Sequence, residues 1–152
     1  MSTDRDIKAM FNTMPHPEFE RPAFRVPGDL AGATVAIVTT AGLSVAEDDE
    51  FWGAGDQSFR VLPAGDARLK LSHMSPNWDR SGLAADLNLV LPHDRLVELA
   101  SDGVIGAVAP RHYSFMGAQR DATLSTIRLD TGPAVARLLR DDGVDVVLLT
   151  PV

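Results

Sequence analysis

The chain has 152 residues, 45% of them hydrophobic and 23% charged, with a formal net charge of -7 and no cysteine. That is the size and composition of one globular domain with its own core, and it excludes a disulfide framework and thiolate chemistry by these residues alone. So acidic a chain lacks the clustered Lys and Arg that nucleic acids and anionic membranes select, and no apolar run approaches the ~20 residues of a bilayer span.

Residues 1–29 read as an arm. Met1 to Asp6 carries acids and leads into no apolar stretch of a signal peptide, so a cytoplasmic location is expected. Asp4 to Met14 can form a short helix, after which Pro15, Pro17, Pro22 and Pro27 come too close together for more. From residue 30 to 152 the pattern is that of an α/β domain. Thr34–Thr39 is an almost continuous apolar, β-branched run, as in a strand buried on both faces. It runs into Thr40-Ala41-Gly42 and then Glu47-Asp48-Asp49-Glu50, which lacks the alternating ligands and Gly of a calcium loop and reads as a solvated turn. Gly53-Ala54-Gly55 neither follows a clear strand nor opens a helix, so a dinucleotide loop is not supported. Phe59–Leu62 and Arg68–Leu71 are short strands, the second delivering the segment Ser72–Gly82 at its end.

Pro92 begins a helix in which Leu91, Leu96, Leu99 and Ala100 share a face, and Asp102-Gly103 stops it. Val104–Ala109 reads as a second buried strand. Thr131 is placed to cap another helix, with Pro133 in its first turn and Val135, Leu138 and Leu139 as its stripe. Asp142-Gly143 ends that helix, and Val144–Leu149 follows as a third strand. Helix, Asp-Gly, then buried strand occurs twice, which is crossover architecture. The expected fold is α/β and Rossmann-like: a mostly parallel sheet with flanking helices, behind a Pro-rich N-terminal arm.

In an open parallel sheet, ligands sit beyond the carboxyl ends of the strands. Thr39–Gly42, Ser72–Gly82 and Arg111–Gly117 are therefore considered together. Ser72-His73-Met74-Ser75-Pro76-Asn77-Trp78-Asp79-Arg80-Ser81-Gly82 keeps neither apolar period and concentrates polar groups on a loop. Arg80 can pair a substrate carboxylate, and His73 can handle a proton. Ser75, Asp79 and Asn88 are the further candidates for substrate contact, with Asp79 and Asn88 also holding the loops. The bland reading makes Asn77 and Asp79 an Asx-turn with Arg80 in solvent. No G-x-S-x-G elbow supports a serine hydrolase.

The second cluster, Arg111-His112-Tyr113-Ser114-Phe115-Met116-Gly117, follows the expected strand end. His112 is its functional candidate, whereas Tyr113 and Phe115 serve equally well as core caps. His16, His73, His93 and His112 match no compact metal motif, and His93, just after Pro92, reads as a surface residue.

Taken in order, Val38-Thr39-Thr40-Ala41-Gly42, Ser72–Gly82, Asp86-Leu87-Asn88, Leu91-Pro92-His93-Asp94-Arg95-Leu96, Gly103-Val104-Ile105-Gly106 and His112–Gly117 form a series. From Thr34 to Val152 the chain resembles the selenoprotein B component of the glycine, sarcosine, betaine and D-proline reductases, nearest to the D-proline-type branch. The resemblance implies a partner subunit whose pyruvoyl group holds the substrate amine. It also implies a selenocysteine, or cysteine in variants, that cleaves a C–N bond reductively in a small amine or amino acid. Electrons would come from a thioredoxin-like dithiol donor. A selenolate is almost fully ionised at neutral pH, which suits covalent catalysis. In that family the redox residue follows the strand and Thr-Pro element matched by Val144–Pro151. The expectation is that the sequence is truncated at a selenocysteine codon just past Val152, so that these residues alone carry no cofactor. If it is not, the reading becomes a non-catalytic α/β binding or assembly subunit with Val144–Leu149 left at an edge.

Overall fold

The computed structural model describes residues 4–13, 25–48, 52–53, 55–65, 68–74, 80–119 and 121–152. The expected helix forms as α1, Asp4–Thr13. The proline-rich stretch of the arm from 14 to 24 lies outside the described residues, as do Ser75 and Asp79.

The sheet is organised around β1, Thr34–Thr39, where Val35, Ala36 and Ile37 are at most 4% exposed. β5, Ala107–Val108, pairs with its first half, and β6, Arg111–Phe115, pairs with its last half on the same side. β7, Val146–Thr150, runs along its whole other side from Val35↔Val146 to Thr39↔Thr150. All of these pairings are parallel. β3, Phe59–Pro63, closes the far side antiparallel to β6. β2, Leu43–Val45, and β4, Leu69–Leu71, form a separate antiparallel pair. β2 escaped the sequence reading because three residues between a glycine and an acidic turn carry no period.

Helices cover both faces, as a parallel sheet requires. One core joins Val35, Ile37, Leu43, Leu62, Leu91 and Leu96, with Leu69 and Leu71 packed against it. It lies under α3, His93–Ser101, and the β2/β4 pair. The opposite core joins Ala36, Tyr113, Phe115, Val135 and Leu139, under α5, Gly132–Asp141. Between α3 and β4 come the short α2, Ser81–Ala85, and a 3₁₀ turn, Leu87–Leu89.

Three local expectations are corrected. Val104–Ala109 is not one strand, because Val104 is 49% exposed and only Ala107–Val108 joins the sheet. The backbone N–H of Gly106 instead bonds Leu30 O and Ala33 O. Leu99 does not share the buried face of α3: it is 38% exposed while Leu96 is 5%. Thr131 does not cap a helix. α4, Asp121–Thr126, continues through a π-turn, Ile127–Thr131, straight into α5. Thr131 has helical φ −70° and ψ −36°, and its hydroxyl donates to Gln57 O at 2.9 Å. The Gly132 N–H bonds Ile127 O, five residues back, and a Cβ on Gly132 would fall 2.4 Å from that oxygen.

Arg111 joins the start of β6 to the end of α5 by two bonds to Asp142, Nε to Oδ2 at 2.9 Å and Nη2 to Oδ1 at 2.5 Å. The hydrogen bond from Arg111 holds the Asp142 carboxyl below its ordinary range. The acidic turn is anchored in the same way, with Glu47 meeting Arg68 at 2.5 Å and Asp48 meeting Arg60 at 3.3 Å.

At Gly106 two separate stretches of backbone cross closely. A Cβ there would lie 2.6 Å from the Gly32 carbonyl carbon and 3.0 Å from Ala33 N. Both are main chain and cannot swing aside. Gly106→Ala is therefore expected to cost about 2–3 kcal/mol by overpacking. Gly28→Ala, with nothing within 4 Å of the added carbon, is expected to change urea-measured stability little.

Candidate functional site

Four segments meet at the carboxyl ends of the parallel strands. β1 ends in Thr39 and turns through Thr40-Ala41-Gly42 toward β6, where the Gly42 N–H donates to Phe115 O at 3.0 Å and Ala41 bridges Met116. The Leu43 N–H donates to the buried Ser114 Oγ at 2.8 Å. The Ser72 N–H in turn donates to Gly42 O at 3.0 Å, which draws the segment after β4 onto the same edge. That segment carries His73, only 3% exposed.

β7 reaches the edge from the other side. The Thr40 N–H and the Thr39 hydroxyl both donate to Thr150 O, at 3.2 and 3.3 Å. The Thr150 hydroxyl donates to Val90 O at 2.8 Å. Beyond the ladder, the Val152 N–H donates to Thr40 Oγ1 at 2.8 Å, and Val152 O lies 3.4 Å from that hydroxyl. Gly117 is the floor where these parts touch. A Cβ on it would fall 2.6 Å from His73 Nε2, 2.8 Å from Thr40 O and 2.9 Å from Val152 O. The imidazole, the end of β1 and the end of β7 thus close around one backbone carbon.

Burial, and then the Arg80 guanidinium, lower the His73 pKa from its ordinary value. A His that starts near 6.5 and is lowered is neutral at pH 7. Arg80 is exposed and donates through Nη2 to His73 O at 2.5 Å. One nitrogen of the guanidinium fork is used to brace the loop, and the side chain still faces solvent.

On the α5 side of the same edge opens a cavity of about 440 Å³. Thr40, Met116, Gly117, Leu149 and Val152 contribute to its wall, as do Ile127 of the π-turn and Gly132 at the start of α5. Its size is that of a small-molecule site.

The other two candidates with described positions lie together elsewhere. His112 does not follow a strand end. It stands inside β6, 1% exposed, because the strand runs from Arg111 to Phe115 where the sequence suggested a loop. Its Nδ1 accepts the Ile37 N–H at 3.1 Å, which puts the proton of the neutral ring on Nε2. That proton faces His93 Nδ1 at 3.0 Å. His93 is therefore no surface residue; it is half-buried and tethers the start of α3 to the sheet. Asn88 binds Asp86 and Asp94 carboxylates through Nδ2 at 3.0 and 2.9 Å, and its Oδ1 accepts the Asp94 N–H at 3.1 Å. His93, His112, Asn88 and Asp94 border a second cavity of about 90 Å³. Among the described residues, no group of three or more potential ligands gathers as a metal site.

Sequence reasoning did not single out Thr40, Gly117 or Val152. The Thr-Thr pair after a buried strand was the available signal for the first, and the glycine directly after the His112–Met116 run for the second.

The fold and the site together define a three-layer α/β protein with a histidine buried at the carboxyl edge of its sheet. Residues 8–152 match the family described as glycine/sarcosine/betaine reductase selenoprotein B, and the chain belongs to that family. It is 41% identical over 126 residues to the D-proline reductase subunit gamma of Acetoanaerobium sticklandii, covering 82% of this chain and 51% of that protein. The chain thus spans about half the length of that relative. No solved structure matches it. Among the described residues, no helix is long and apolar enough to cross a membrane.

Two outcomes follow from the packing of these histidines. Gly117→Ala is expected to lose about 2–3 kcal/mol, since two of the three obstructing atoms are main-chain oxygens, and to move the His73 ring resonances in NMR spectra. His112 has its pKa lowered to about 4, by burial and then by His93. The unfolded chain binds a proton near pH 6.5 that the folded chain refuses until about pH 4. Stability is therefore full above 6.5 and is lost as the pH falls through that window, by about 3 kcal/mol at its lower end. Urea melts between pH 7 and pH 4 measure this slope, and His112→Gln should remove most of it.

Proposed function

We propose that this chain is part of a reductase subunit of the selenoprotein B type, acting on a small amine or amino acid by reductive C–N cleavage. The observation that carries the reading is the placement of His73 against Gly117 and the end of β7. The family resemblance implies a redox selenocysteine or cysteine that works with such a proton carrier. Membership of the family and the likeness to a D-proline reductase subunit support the same reading.

The net reaction balances simply. One C–N bond breaks, carbon and nitrogen each gain a hydrogen, and the two electrons come from a dithiol that becomes a disulfide. A pyruvoyl group on a partner subunit would hold the substrate nitrogen. The residues of this chain bind, orient and move protons. Arg80, exposed beside the His73 loop, keeps N–H groups for a substrate carboxylate. His73, neutral at pH 7, takes a proton at its ring nitrogen or returns one to the departing nitrogen. The apolar cavity beside Thr40 and Gly117 accommodates the aliphatic body of the substrate. His112 supports the site from within the sheet by fixing β6 and α3 to each other. The proposed place of work is the cytoplasm, where dithiol donors are kept reduced.

The test is an assay of the full-length subunit with its partner, using D-proline, glycine, sarcosine and betaine with dithiothreitol as reductant. One of the four should be cleaved; turnover of none of them sinks the reading. With the active substrate, Arg80→Ala should raise KM about 10-fold or more, the loss of a charge-assisted carboxylate bond. An unchanged KM removes Arg80 from the site.

A further inference from the structure

We infer that the substrates of this protein include N-alkylglycines whose alkyl chain is several carbons longer than the methyl of sarcosine, the chain lying in the cavity beside α5. The inference rests on the reading above and extends its substrate class.

The wall of the cavity sets its chemistry. Val38 of β1, Phe115 of β6, Leu149 of β7 and Val135, Ala136 and Leu139 of α5 contribute to it, and among its described residues none is ionisable. The polar side chains there, Thr40 and Gln119, are already engaged. The Thr40 hydroxyl accepts the Val152 N–H at 2.8 Å. Gln119 Nε2 donates to Asp56 O at 2.7 Å and to Met116 O at 3.0 Å. A carboxylate or ammonium drawn among these residues would shed its hydration and find no partner, which is costly. A methylene has no such loss, and each one buried is worth about 4-fold in affinity. Gly117 joins the cavity to the His73 edge, because it stands in the wall and a Cβ on it would fall 2.6 Å from His73 Nε2. A substrate whose charged groups stay with His73 and Arg80 therefore has an apolar space beside it for its aliphatic end. At about 440 Å³ that space is in the range that takes a whole small molecule, and the single methyl of sarcosine leaves most of it unfilled. The net step is the one sarcosine would undergo. The bond between nitrogen and the carboxymethyl carbon breaks, each atom takes up one hydrogen, the dithiol supplies both electrons and becomes a disulfide, and acetate and the alkylamine leave.

The test is a homologous series, N-methyl-, N-ethyl-, N-propyl- and N-butylglycine, given to the full-length subunit with its partner and dithiothreitol. Affinity measured by calorimetry is expected to rise about 2- to 4-fold per added methylene, and every member should be cleaved. Ala136→Leu keeps a good helix former in α5 while filling part of the cavity. It should flatten the series, cutting the affinity ratio of the butyl to the methyl compound about 10-fold. A flat or falling series in the wild type overturns the inference, as does one that Ala136→Leu leaves equally steep. If Ala136→Leu does not fold, the wild-type series decides alone. Longer members that bind but stay uncleaved, while any of D-proline, glycine, sarcosine and betaine is cleaved, overturn it as well. If those four and the whole series stay uncleaved, the reductase reading falls and takes the inference with it, a result distinct from a flat series.

Discussion

The molecule depends on the burial of β1. Val35, Ala36 and Ile37 are sealed on both faces, and both edges of the strand are occupied, one by β7 and the other by β5 and then β6. A strand in that position must satisfy its peptide groups within the sheet, because unpaired buried N–H and C=O groups are costly. Where the ladder is interrupted, a side chain takes over. Between β5 and β6, it is His112 Nδ1 that accepts the Ile37 N–H. That duty places an imidazole in the core and dictates which of its nitrogens carries the proton.

The same constraint produces the site. When β1 ends, its threonines and the turn after them distribute their bonds among β6, β7 and the His73 segment. The edge is therefore held by main-chain bonds together with the hydroxyls of Thr39, Thr40, Ser114 and Thr150. Gly117 allows this compactness, since any larger residue would push apart the three parts that meet there. The buried imidazole of His73 packs against that glycine. Arg80 is exposed at the same edge and donates to the His73 carbonyl.

Much of this was legible in the residue pattern, for reasons that differ from element to element. Thr34–Thr39 declared itself through an almost unbroken apolar, β-branched run, the mark of a strand without a solvent face; the run Val144–Leu149 gave β7 as well, although there Val147, Leu148 and Leu149 are 37%, 38% and 67% exposed. The Asp-Gly stops held because Gly103 and Gly143 adopt φ of 71° and 69°. The loop carrying His73 was recognised by its lack of any period. What the pattern concealed were contacts set by distant partners. Val104–Gly106 looks like strand but is captured by Leu30 and Ala33 through Gly106. His112 looks like loop but lies in a ladder with β3 and β1. Thr131 looks like a cap, yet its hydroxyl has a more distant acceptor in Gln57 O. The pairing of His93 with His112 joins residues from a helix and a strand, and no spacing rule announces it.

The π-turn at Ile127–Thr131 has a geometric consequence for the helix that contains it. One extra residue in a turn rotates everything after it by about 100° relative to an unbroken α-helix. The faces of α5 are therefore offset by that angle from those of α4. Val135 and Leu139 owe their seat in the core to that offset. The bulge acts as a mechanical phase-shifter, and an insertion or deletion of a single residue between Asp121 and Gly132 would turn the apolar stripe of α5 away from Ala36 and Tyr113.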